Sequence, residues 1–217
     1  MYLTRMLLDM DRPDTVKAVI SPNRLHGAVQ SAFPGERKRI LWRIDKLRGK
    51  SYLMLLSGDK PDLSSVCAQF GVKGNSEPEW VTKDYSRLLE RIADGGRWHF
   101  RLTANPVNHH SSGKGERGKV FAHCTIDQQK EWLCKRAEAN GFSLDMGEFT
   151  VTDKQWQSFS KHNGESKMRV TILSVTFEGV LTVTNADLFK QALTCGIGRG
   201  KAYGLGMLTV VRSEQPA

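Results

Sequence analysis

The sequence predicts an α+β protein made of two successive β-α-β-β-α-β units, and three observations lead there. Runs that alternate apolar and polar residues over one strand length recur between stretches of helical spacing. The pattern breaks at Gly95-Gly96 and then restarts. The 217 residues suffice for two small domains, and a hydrophobic fraction of 39% with scattered Gly and Pro fits folded rather than disordered chain.

Residues 2–8 carry aromatic and aliphatic side chains over a strand length, and Asp11-Arg12-Pro13-Asp14 supplies a turn and a helix start. Val16, Val19 and Ile20 follow helical spacing up to Ser21-Pro22, where Ser can cap and Pro can open a second helical segment. Leu25, Ala28, Val29 and Ala32 form the apolar stripe of that segment, which ends near Phe33-Pro34-Gly35. Strands over 40–47 and 52–56 flank Arg48-Gly49-Lys50 as a hairpin, and Pro61-Asp62-Leu63-Ser64 then opens a helix through Phe70. A closing strand falls within 80–92, where the spacing of Leu88, Leu89 and Ile92 also permits a helix.

Beyond the break, Trp98, Phe100 and Leu102 alternate with His99, Arg101 and Thr103 on a strand ending at Asn105-Pro106. A polar loop over 109–119, a helix over 127–139, strands over 142–151 and 170–183, a helix over 185–194 and a strand over 203–211 complete the second unit. The most economical reading is two tandem ferredoxin-like domains, residues 1–94 and 95–217.

The formal net charge of +9 points to a polyanionic partner, with nucleic acid ahead of anionic lipid or an acidic protein. Both halves share the excess, +4 before Gly95 and +5 from it onward, so it is not a basic tail. Cys67, Cys124, Cys134 and Cys195 form no C-x-x-C pair, which argues against a zinc ribbon or a redox motif and leaves them as small buried hydrophobes. The apolar opening is interrupted by Arg5 and Asp9, too early for a signal-peptide core or a ~20-residue membrane span. A cytoplasmic protein with no membrane partner is expected.

His26 lies one position past Leu25, about 100° round the helix from the apolar stripe, and is expected to be solvent-accessible. An exposed His is ordinarily just a surface residue; Gly27 beside it leaves room for a close-approaching chain, and Arg24 adds charge. Residues 196–206 place five glycines, Arg199 and Lys201 between a helix and a strand. Their N–H groups could cradle phosphate, or the glycines could simply serve a tight connection. No G-x-x-x-x-G-K-[ST] occurs and no helix follows the glycines, so nucleotide-triphosphate and dinucleotide sites are unsupported.

Arg37, Lys38, Arg39, Arg43, Lys46, Arg48 and Lys50 face only two acidic residues between Glu36 and Lys50. Part of that run could line a phosphate backbone, or the hairpin could merely be solvated. Lys161, Lys167 and Arg169 form a second basic stretch ahead of a strand, with the same two readings. His99, His109, His110 and His123 lack the Cys or carboxylate spacing of a metal site, so neither metal nor other cofactor is expected. A G-x-S-x-G elbow is missing too, which leaves esterase chemistry unsupported.

Three segments in register, Phe100-Arg101-Leu102-Thr103-Ala104-Asn105-Pro106, Phe177-Glu178-Gly179-Val180-Leu181-Thr182-Val183 and the glycine-rich 196–208, resemble the CasE family. The Met1-Tyr2-Leu3 opening and His26 followed by Phe33-Pro34 agree with it, so the resemblance covers essentially the whole chain. It implies RRM-like domains and metal-independent cleavage of CRISPR precursor RNA at the base of the repeat hairpin. It further implies that the mature crRNA stays bound within Cascade among its other subunits.

The resemblance makes His26 the catalytic residue, whether as general base or general acid. Family members often carry Tyr three positions earlier, where this chain has Asn23, a side chain that exchanges no proton at neutral pH. RNA contacts are expected from Arg24, Arg37, Lys38, Arg39, Lys46, Lys161, Lys167 and Arg169, and from Gly198, Arg199, Gly200 and Lys201 in the glycine-rich loop. Two further readings compete: a non-catalytic RNA-binding module with twin RRM-like domains, and a ribosome-associated structural protein. The first is weakened because no R-G-F-G-F-type string appears.

Overall fold

The computed structural model describes residues 1–33, 39–74, 79–110, 119–163 and 166–213. Strand β1 (Tyr2–Leu7) leads into helices α1 (Pro13–Ile20) and α2 (Pro22–Ser31). The hairpin β2 (Leu41–Leu47) and β3 (Lys50–Ser57), helix α3 (Ser64–Phe70), strand β4 (Trp80–Asp84) and a single turn α4 (Ser86–Leu89) follow. The ambiguous stretch 80–92 thus holds both a strand and a short helix.

These strands form an antiparallel sheet in the order β2-β3-β1-β4, which results when each β-α-β crossover skips one position. Leu53 and Leu55 of β3 and Met6 of β1 point to one face, where Leu25 and Val29 of α2 and Val66 and Phe70 of α3 cover them. Pro22 lacks an N–H and opens α2 as expected, whereas Ser21 makes no side-chain cap. Its carbonyl accepts the Arg24 N–H at 2.9 Å instead.

The second β-α-β-β-α-β set begins with β5 (Arg97–Ala104) and the antiparallel pair β6 (Val107–His110) and β7 (Lys119–Ala122); residues 111–118 of the expected polar loop lie outside the described residues. Helix α5 (Ile126–Ala137), strands β8 (Phe142–Ser143), β9 (Phe149–Asn163) and β10 (Ser166–Val183), helix α6 (Ala186–Cys195) and β11 (Leu208–Arg212) complete it. The sheet order is β11-β5-β10-β8, with β9 also paired to β10, so the ferredoxin-like order recurs. Trp98, Phe100, Leu102 and Ala104 are buried, as the alternation requires.

Three expectations are corrected. Strands β9 and β10 run 15 and 18 residues, so Lys161 lies on β9 and Arg169 on β10 instead of ahead of a strand. The last strand starts at Leu208 because Lys201–Tyr203 form a 3-10 turn. Of the cysteines only Cys67 is buried; Cys134 and Cys195 are half-buried and Cys124 is exposed.

Contacts group the chain into two compact units. The first is Met1–Arg91 with Ser158–Thr171 and Gly200–Met207; the second is Ile92–Gln157 with Ile172–Arg199 and Leu208–Ala217. Among the described residues no helix is long and apolar enough to cross a membrane.

Candidate functional site

His26 sits mid-way along α2, in the first unit. The 3-10 turn Lys201–Tyr203 packs against this helix. One helical turn before His26, Asn23 donates from Nδ2 to the Ser160 carbonyl at 3.3 Å, tying α2 to the tip of the β9–β10 hairpin. The ring of Tyr203 meets that of Phe159 edge-on at 4.8 Å, which joins the turn to the same hairpin tip. Helix, hairpin tip and glycine-rich turn therefore form one packed group.

This packing corrects the expected exposure of His26, which is half-buried with Nδ1 shut off from solvent. Ser160, 137 residues from its partner Asn23, and the Lys201–Tyr203 turn pack on that helix, and helical periodicity carries no information about them. Asn23 is half-buried as well, and its Oδ1 is a buried acceptor that receives no hydrogen bond. Arg24 is exposed on the neighbouring face.

All five glycines of the 196–206 stretch, Gly196, Gly198, Gly200, Gly204 and Gly206, have positive φ, which a tight connection requires. The N–H groups of Tyr203, Gly204 and Leu205 donate within the turn, to Gly200 and Lys201 carbonyls, and are spent there instead of on phosphate. Gly204 is the most constrained. At φ +79° a Cβ there would lie 2.7 Å from the Trp42 ring. Gly204→Ala is expected to cost roughly 2–4 kcal/mol from left-handed backbone and overpacking together. Thermal or urea unfolding checks it; an unchanged midpoint would mean that Trp42 moves aside freely.

Of the expected RNA-contact residues, Arg39, Lys46, Lys161, Arg169 and Arg199 are exposed and Lys201 is half-buried. Arg169 Nε donates to Ser158 Oγ at 2.8 Å across the hairpin. Lys161, Arg169, Gly200 and Lys201 fall in the unit that holds His26, whereas Gly198 and Arg199 fall in the other. Arg37, Lys38 and the side chain of Lys167 lie outside the described residues. The basic run on β2 is not uniform: Arg43 is 3% exposed and paired with Asp45, which removes it from any RNA-facing row.

The second sheet presents an open face with Arg97, His99, Arg101 and Thr103 on β5 and Thr176, Glu178, Val180 and Thr182 on β10. Arg101 pairs with Glu178, and Thr103 with Thr176 at 3.0 Å. The central strands of an RRM carry base-stacking aromatics there, and none of these eight residues is Phe, Tyr or Trp. Among the described residues no three His, Cys, Asp or Glu side chains are grouped to hold a metal ion.

A family model described as CRISPR associated protein matches residues 1–212. The CRISPR-associated endoribonuclease Cse3 of Thermus thermophilus is 28% identical over 228 residues, covering 97% of this chain and 99% of that protein. The structure of CRISPR endoribonuclease Cse3 bound to 19 nt RNA superposes with a TM-score of 0.79 at 25% identity, over 97% of this chain and 100% of that one. A chain of a CRISPR RNA-guided surveillance complex, pre-nicking, shares the fold, with a TM-score of 0.70 at 21% identity over 98% and 100% of the two chains.

Proposed function

The chain belongs to the CRISPR-associated protein family, the one its sequence motifs resemble, and from that membership we propose how it acts. It is an endoribonuclease that processes CRISPR precursor RNA. It cuts at the base of the repeat hairpin, keeps the mature crRNA and works beside the other Cascade subunits in the cytoplasm. The observation that carries this reading is the family match across residues 1–212, in a chain that packs the His26 helix against a glycine-rich turn and a basic hairpin tip. Residues 1–94 and 95–217 serve as its two ferredoxin-like domains, the second lending Ser158–Thr171 and Gly200–Met207 to the first compact unit.

Cleavage uses the nucleophile that RNA itself carries. His26 takes the proton of the 2′-hydroxyl or protonates the departing 5′-oxygen, while Lys201, Arg169 and Lys161 offset charge on the phosphate. Asn23 cannot serve as a second acid or base; its tie to Ser160 supports a positioning role. Asn23→Ala is therefore expected to slow cleavage far less than loss of His26. Equal losses would show that Asn23 holds the RNA or the His ring in place.

Affinity rests on phosphate contacts, because the deep major groove of A-form RNA hides base edges. Lys46→Ala is expected to weaken hairpin binding and to lower the salt-dependence slope by about 0.7–0.9. A slope unchanged by Lys46→Ala and by Arg39→Ala would place the RNA elsewhere. The reading as a whole is tested by incubating purified protein with labelled repeat hairpin, with and without chelator. Chelator-resistant cleavage at one position supports it; tight binding without cleavage would favour an RNA-binding module.

A further inference from the structure

Strand β2 lies at the edge of the first sheet, and its neighbouring residues Trp42 and Arg43 project to opposite faces. The glycine-rich segment Gly200–Met207 is gripped on both. On the helix-covered face, the Trp42 ring sits where any side chain at Gly204 would be, 2.7 Å from its Cβ position. On the other face, Arg43 Nη1 donates to the Met207 carbonyl at 2.8 Å.

The rest of the guanidinium is fixed by Asp45, with Nε to Oδ1 at 2.7 Å and Nη2 to Oδ2 at 2.8 Å. This two-point fork holds the third nitrogen, Nη1, in one orientation. The pair is nearly sealed, with side chains 3% and 8% exposed. Tyr85 next to it is buried too, its hydroxyl pushed well above the usual phenol range by burial, against an opposing effect of the Arg43 charge. A charge pair in so dry a place costs desolvation that an apolar pair would avoid.

We propose that Arg43 is a positioning residue of the cleavage site, a tether that locks the glycine-rich segment so that Lys201–Tyr203 stays seated on the His26 helix. This rests on the assignment of His26 as catalytic. Met207 ends the segment that begins at Gly200, and between them lies the turn that packs on α2. Gly204 and Gly206 take positive φ between the turn and Met207, so the Met207 anchor fixes where the segment leaves the turn, beside the contacts of Gly204 with Trp42 and of Tyr203 with Phe159. Arg43 touches no RNA in this account.

Arg43→Lys decides the matter. It keeps a positive charge beside Asp45 but has no planar fork to satisfy Asp45 and Met207 at once. Single-turnover cleavage of the repeat hairpin at saturating enzyme is expected to fall about tenfold to a hundredfold, as displacements near 1 Å do elsewhere. Hairpin affinity is expected to stay within about threefold, since the phosphate contacts other than Lys201 lie outside the turn. The double variant Arg43→Met with Asp45→Leu removes the tether without stranding a buried charge, and the same split between rate and affinity is expected. Wild-type cleavage in Arg43→Lys overturns the proposal, and so does an equal loss of rate and affinity, which would mark a merely structural pair. His26→Ala measured beside them separates the two assignments: if it cleaves normally, the catalytic reading fails, and if it is inactive while Arg43→Lys cleaves normally, only the tether does.

Discussion

Replacing His26 with alanine is expected to lower the single-turnover cleavage rate of the repeat hairpin by about 10²–10⁴-fold, the usual worth of a positioned acid or base. Affinity for the same hairpin is expected to stay within about tenfold, because binding would rest on many phosphate contacts. The contrast follows from placement. His26 is half-buried on α2 with Nδ1 turned inward, and the exposed cations Lys161 and Arg169 belong to the hairpin tip to which Asn23 is tied. A parallel fall in affinity and rate would make His26 an RNA anchor instead, and quantitative binding at the salt used for cleavage distinguishes the two.

Much of the fold was legible because strand alternation and helix capping are local. Trp98, Phe100 and Leu102 alternate into a core, and the Leu25–Val29 stripe buries as helical spacing requires. The boundaries that failed are those set from afar. Tyr203 reads as the start of the last strand, yet it closes the 3-10 turn Lys201–Tyr203, flanked by Gly200 and Gly204 at positive φ against Leu205 and Trp42. The long β9–β10 hairpin contains no turn signal except Asn163-Gly164, and local pattern does not say how far pairing extends on either side.

The residue types of the candidate site stood out in the sequence, whereas its assembly did not. His26 and the glycine-rich stretch stood out, but their contact joins positions 22–31 to 201–203 and no periodicity spans that separation. Asn23 read as a lost acid or base, whereas its link to Ser160 is a packing role that only the fold reveals. Arg43 was hidden by company, one cation in a basic run. Its alternation with Trp42 and the Asp two positions later were the available signals, since an Arg-x-Asp on an edge strand can pair on one face.

The proposed cleavage uses an internal nucleophile. The 2′-hydroxyl is already held beside the phosphate it attacks and needs no second molecule, so a positioned base or acid at His26 is sufficient to start or finish the displacement. The most direct measurement is cleavage of a repeat hairpin with a single 2′-deoxy nucleotide immediately upstream of the cut. Binding is expected to remain near normal, since one hydroxyl carries little of the affinity. Cleavage is expected to cease, and the all-ribose control is expected to leave an upstream fragment ending in a cyclic phosphate or its hydrolysis product. Cleavage of the deoxy hairpin at the normal position and rate would contradict the account and assign the attack to external water.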